Sequence, residues 1–209
     1  MPRKYLAAQS TPESVPDGPQ AATSRRTQDA IINAVIELIT EGGYVAASST
    51  RIARRAGVSW GAVQHHFGGK DEILQAVLSR SHDTFNTRMA APGFSRGSLE
   101  TRVSRFIDAA WEHYQGAEYT ATLEILLARR AATAQRGPVI DLKQHSHLAL
   151  WRSIYPELKL SDAHLQETIY TVHCLLTGLL VETVLEQGAF EPARYLKRLK
   201  RLVSGMLTE

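Results

Sequence analysis

The sequence predicts an all-α fold in two parts: an N-terminal three-helix unit built on a helix-turn-helix, and a larger C-terminal helical domain. Three observations carry this reading. Apolar residues recur at helical spacing from Thr27 to the end of the chain, and no run alternates as a half-buried strand would. The stretch "APGFSRGS", residues 91–98, is a clear internal break that separates short helical patterns from long ones. The chain has 209 residues, 44% of them hydrophobic, enough to bury one large core or two smaller ones in contact.

Residues 1–23 carry Pro2, Pro12, Pro16, Gly18 and Pro19 with few apolar groups, and are expected to form a disordered arm. The next unit, residues 24–70, opens with the stripe Ile31, Ala34, Val35 and Leu38, which Gly42 and Gly43 end. Ile52, Ala53 and Ala56 mark a short second helix, entered by Ser48, Ser49 or Thr50 as cap. After Gly57, Ser59 can cap a third helix that runs to about Phe67. Residues 71–97 are a connecting helix and loop. That helix begins near Lys70, with Asp71 and Glu72 in its first turn, where the helix dipole favours negative charge. Residues 98–209 hold the long patterns. These centre on Leu99–Trp111, Leu123–Leu127, Val139–Tyr155, Leu165–Leu180 and a last helix from Pro192.

Two short helices joined by a glycine turn form a helix-turn-helix. Ala53 and Ala56 keep the first helix thin, Gly57 permits the reversal, and Val58 and Val63 plug the space beneath. Trp60, Gly61, Gln64 and His65 are left on or near the open face. Glutamine can pair with adenine through two hydrogen bonds, and a small residue such as Gly61 admits close approach to a groove. Arg51, Arg54, Arg55 and Lys70 flank this face, and no acidic residue lies between Glu41 and Asp71. The net charge is only +3, so this local gap, rather than the global field, points to a phosphate-bearing partner.

The segment "STRIARRAGVSWGAVQHHFGGKDEIL", residues 49–74, resembles the DNA-binding segment of the TetR family of bacterial transcriptional regulators. With the preceding helix and its "EGGY" ending, the resemblance covers roughly residues 24–80. It implies a homodimer, an N-terminal DNA-binding domain, and a C-terminal domain with the dimer interface and a small-molecule pocket. By match to the family motif, Thr50, Arg51, Ser59, Trp60, Gly61, Gln64, His65, His66 and Lys70 are the expected DNA contacts. Many members carry a tyrosine, regarded as a phosphate contact, where this chain has Gln64. Either His65 or His66 takes over the phosphate, or Gln64 reads a base. The expected activity is a cytoplasmic, ligand-responsive repressor on a double-stranded palindromic operator; an activator of the same fold is the alternative.

Other features have competing readings. His65 and His66 point about 100° apart on a helix and have no acidic or thiol partner nearby, so no metal site and no cofactor is expected. An all-α enzyme would need His65, His66, His113, His145, His147 or His173 for acid–base work, but they are dispersed along the chain. An architectural DNA binder would need a higher positive charge. Trp111, Tyr114, Trp151, Tyr170 and His173 are either core or the lining of a ligand cavity. The run "LLTGLLVETVL", residues 175–185, is apolar nearly all round, which places Leu175, Leu179 and Val184 in a dimer interface with Leu196, Leu199 and Val203 of the last helix. The basic run "RYLKRLKR", residues 194–201, reads as a solvated helix face. The single cysteine, Cys174, excludes an internal disulfide and fits a small buried hydrophobe. No stretch approaches the roughly 20 apolar residues that span a bilayer, so no membrane partner is expected.

Overall fold

The computed structural model describes residues 18–132, 144–186 and 189–208, and these contain no strand. The helices are α1 (Pro19–Gly42), α2 (Ser49–Arg55), α3 (Trp60–Phe67), α4 (Lys70–Met89), α5 (Leu99–Tyr114), α6 (Ala117–Ala132), α7 (Gln144–Ile154), α8 (Asp162–Leu185) and α9 (Pro192–Met206). The break after α4 is a 3₁₀ turn, Pro92–Ser95, whose Phe94 is buried.

Helix α1 starts before the apolar stripe begins. Residues 19–23, expected in a disordered arm, are its first turn and a half, with Pro19 where a missing N–H costs nothing. Residues 1–17 of that arm lie outside the described residues, as do residues 139–143 of the helix expected before Tyr155. At the far end Gly43 takes φ 70°, and its N–H reaches back 2.8 Å to the carbonyl of Ile39.

Two apolar cores share one rod. The first joins Ile31, Val35 and Leu38 of α1 with Ile52 of α2, Val63 of α3, and Ile73 and Val77 of α4. Ala121 and Ile125 of α6 belong to it as well, both with no exposed surface. The second gathers Val103, Phe106 and Ile107 of α5, Trp151 and Ile154 of α7, Leu165 and Leu176 of α8, and Leu199 and Val203 of α9. Helix α4 feeds both, because Met89 at its other end sits in the second core. Its 20 residues make a strut about 30 Å long.

Ion pairs and hydrogen bonds lock the helices beyond apolar contact. Arg80 of α4 meets Glu118 of α6 at 3.1 Å, and Arg129 of α6 donates to Gln75 of α4 at 3.1 Å. Arg102, buried in α5, donates to the Ile154 carbonyl at 2.9 Å and forms an ion pair with Glu157. The hydrogen bonds that Arg102 donates to the Glu157 carboxylate hold that carboxyl below its ordinary value.

Candidate nucleic-acid interface

The α2–α3 unit is set by backbone torsion and one cap. Gly57 turns the chain at φ 69°, where a Cβ would meet nothing within 4 Å, so the glycine answers a torsional need and not a steric one. Val58 N–H then donates to the Ala53 carbonyl at 3.0 Å, folding the turn back on α2. Ser59 Oγ accepts from Ala62 N–H at 3.1 Å and starts α3. Beneath, Val63 is fully buried and Trp60 and Phe67 pack partly against the first core. Gly68 closes α3 at φ 89° and Gly69 precedes α4.

This leaves a well-defined outer face. Thr50, Arg51, Ser59, Gly61, Gln64 and His65 are exposed; Trp60, His66 and Lys70 are half-buried. A Cβ on Gly61 would meet only the Ser59 hydroxyl, at 3.8 Å, so nothing inside the chain requires a glycine there. Trp60 is a rim residue with one edge in the core. The Lys70 ammonium rests 4.7 Å above the Tyr44 ring, a contact that aims it from the start of α4 and that sequence reasoning missed. Arg51, Arg54 and Arg55 line a recess of about 310 Å³ beside Leu38.

Arg55 is a correction to the expected charge. Its guanidinium is 2.7 Å from Glu41 and 3.1 Å from Glu37, so it clamps α2 to α1 rather than facing outward unpaired. Those hydrogen bonds hold Arg55 above its ordinary value and Glu41 below. The acids lie on α1, just before the acid-free run, where they can be seen only once the helices pack.

The residues expected to line a ligand cavity divide. Trp111 and Trp151 are buried in the second core, with the Trp151 ring 4.9 Å from Phe106. Tyr114 Oη lies 2.7 Å from His173 Nδ1, and its ring stacks on Tyr119 at 3.9 Å. Tyr119 in turn bonds Thr177 Oγ1 at 3.1 Å. Burial pushes the Tyr114 phenol up and holds the His113 and His173 imidazoles down. Tyr170 is exposed. A groove of about 750 Å³ lies elsewhere, lined by Arg88, Phe94, Arg105, Asp108 and Glu112, and holds none of the five residues.

The expected dimer residues also divide. Leu196, Leu199 and Val203 are buried inside their own chain, and Leu179 joins them. The stripe of α9 that looked available packs against α5, so these four are taken up by the chain's own core. Leu175 and Val184 are exposed, at 42% and 63%, beside exposed Val181, Leu185, Tyr195 and Leu202. Cys174 is exposed rather than buried. The dispersed histidines form no group of three metal-ligating side chains among the described residues.

A family model, bacterial regulatory proteins of the tetR family, matches residues 31–77, which run from α1 into α4. The HTH-type transcriptional regulator BetI of Escherichia coli strain UMN026 is 30% identical over 77% of this chain and 83% of its own length. The chain belongs to the TetR family. This TetR-family chain is a helix-turn-helix, DNA-binding transcriptional regulator. Its fold matches a TetR-family transcriptional regulator from Mesorhizobium loti, at TM-score 0.66 and 17% identity over 88% of this chain and 96% of that one. It also matches the multidrug binding protein EbrR complexed with imidazole, at TM-score 0.59 and 21% identity over 85% and 92%. Among the described helices, α8 is long and apolar enough to cross a membrane by length and composition alone. Its apolar residues are explained within the regulator, by core packing on one side and the exposed strip on the other.

Proposed function

We propose that this regulator is a cytoplasmic, homodimeric, ligand-responsive repressor that reads a palindromic operator through α3. The observation that carries the reading is the outer face of α2 and α3. Gly61, Gln64 and His65 are exposed there beside Arg51, Arg54 and Lys70, with no carboxylate interleaved. Lys70 and Arg51 anchor phosphates, which fixes register, and Gln64 is placed to meet a base edge.

Two copies reading half-sites about 34–36 Å apart are sensitive to the spacing of their recognition helices. Helix α4 and helix α6 supply a path for control, because each contributes to the core beneath α3 while reaching toward the second core. A small molecule that moves α6 against α4 changes the separation of the two α3 helices and weakens the operator complex. The Tyr114, Tyr119 and His173 cluster, next to the start of α6, is the polar aromatic surface best placed to receive it.

A gel shift with the DNA upstream of the chain's own gene tests the reading, with and without Gln64→Ala. A retarded band that unlabelled random DNA cannot compete away is expected, and no shift at any concentration would sink the proposal.

A further inference from the structure

Helices α8 and α9 segregate charge by sign. Asp162, Glu167 and Glu182 are the charged residues of α8, which has no lysine or arginine. Helix α9 carries Arg194, Lys197, Arg198, Lys200 and Arg201 and no acid. The two helices lie side by side, yet among the described residues their ion pairs go elsewhere: Asp162 to Arg152 and Lys200 to Asp108. Glu182 and Glu186 at one end of α8, and Arg198 and Arg201 on α9, are exposed and make no ion pair among the described residues.

Between these charges lies the exposed apolar strip of Leu175, Val181, Leu185 and Leu202. Gly178 falls in its middle and Gly205 at its edge, and a Cβ on either would meet nothing within 4 Å. A surface that is apolar along its centre, acidic on one helix and basic on the next is complementary to a two-fold-related copy of itself. A polyanion would meet the α8 carboxylates, and an acidic protein likewise.

The chain's own packing fixes how α9 is aligned along α8. Helices α8 and α9 run antiparallel, pinned where His164 Nε2 lies 2.5 Å from the Met206 carbonyl. Arg198 therefore sits beside the level of Val172 on its own α8. If the two-fold axis passes at Gly178, where a Cβ would meet nothing within 4 Å, that level maps onto Val184 of the other α8, between Glu182 and Glu186.

We propose that Glu182 and Glu186 of one protomer pair across the two-fold axis with Arg198 and Arg201 of the other. These contacts set the register of the α8–α9 bundle and select a second copy of this chain over other subunits with a similar apolar strip. The inference rests on the homodimer reading above and goes beyond it by assigning the residues that decide who pairs with whom.

Charge reversal in the full-length protein tests it by sedimentation equilibrium, with circular dichroism as a check on folding. Glu182→Arg with Glu186→Arg, and separately Arg198→Glu with Arg201→Glu, should each weaken self-association by about 100-fold or more, since like charges are then juxtaposed. Mixing the two variants should restore a heterodimer close to the strength of the unsubstituted pair. Unchanged association of either variant, or failure of the mixture to recover, overturns the pairing while leaving the homodimer in place. Arg198→Glu with Arg201→Glu that dimerises normally but loses retention on heparin also overturns it, and assigns the basic ridge to a polyanion. An unsubstituted chain that stays monomeric at tens of micromolar, a range where stable interfaces hold, overturns the homodimer reading itself.

Discussion

Replacing Lys70 with alanine should reduce the salt dependence of operator binding by a predictable amount. Arg51, Arg54 and Lys70 are the cations on the α2–α4 face that make no ion pair with a carboxylate among the described residues, whereas Arg55 is held by Glu41 and Glu37. Three contacts per protomer, doubled in the dimer, at about 0.9 of a counterion each, give a log–log slope of about −5. Affinity should then fall about 2,000-fold between 50 and 200 mM salt. Without Lys70 two contacts are lost, the slope becomes about −4, and the same salt change costs only about 150-fold. Arg55→Ala should leave the slope alone, because its charge is already neutralised, and should instead lower the unfolding midpoint. Fluorescence anisotropy on a labelled operator across a salt series measures all three proteins. An unchanged slope in Lys70→Ala would falsify the assignment, and so would a drop in Arg55→Ala equal to that of Lys70→Ala.

Gln64→Ala should cost about 1–3 kcal/mol per half-site and relax discrimination at one base while leaving the salt slope unchanged; uniform weakening on every sequence, with a shallower slope, makes Gln64 a phosphate contact instead. Ile125→Ala should destabilise by about 2–5 kcal/mol in urea titrations, because Ile125 has no exposed surface and fills the first core where α6 meets α1 and α4; a loss below about 0.5 kcal/mol counts against α6 as part of that core. Ser59→Ala removes the hydrogen bond that starts α3 and should cost about 1 kcal/mol, with operator affinity falling in parallel; thermal unfolding that does not shift contradicts the capping role. His113 is packed against Phe85 and Tyr119, and burial lowers its proton affinity below the unfolded value of about 6.5. The unfolded chain takes up that proton first, so stability should be level above about pH 7.5 and decline as pH falls through 6.5. His113→Asn should flatten that decline, and an identical pH profile in the variant removes His113 as its source.

The helix-turn-helix was legible in the sequence because its determinants are local. Gly57 at positive φ, the Ser59 cap and the buried Val63 act within a few residues of one another, and the acid-free run from Ser48 to Lys70 marks the outer face. The apolar stripes of α1, α5 and α9 were equally visible, since a helix reports its buried side through its period. What covers each stripe is not a local property. The stripe Leu196, Leu199 and Val203 reads the same whether it faces α5 or a second chain, and the tertiary structure gave it to α5. That choice moved the available apolar surface to Leu175, Val181, Leu185 and Leu202. Arg55 could not be told from Arg54 by composition either, because Glu37 and Glu41 approach it only when α1 crosses α2. Nor does any period reveal that Ala121 and Ile125 of α6 complete the N-terminal core against α1 and α4. Sequence determined the helices, their caps and the reading face through interactions of short range. Packing decided which buried faces meet, which charges are neutralised, and so which surfaces remain for DNA and for a partner.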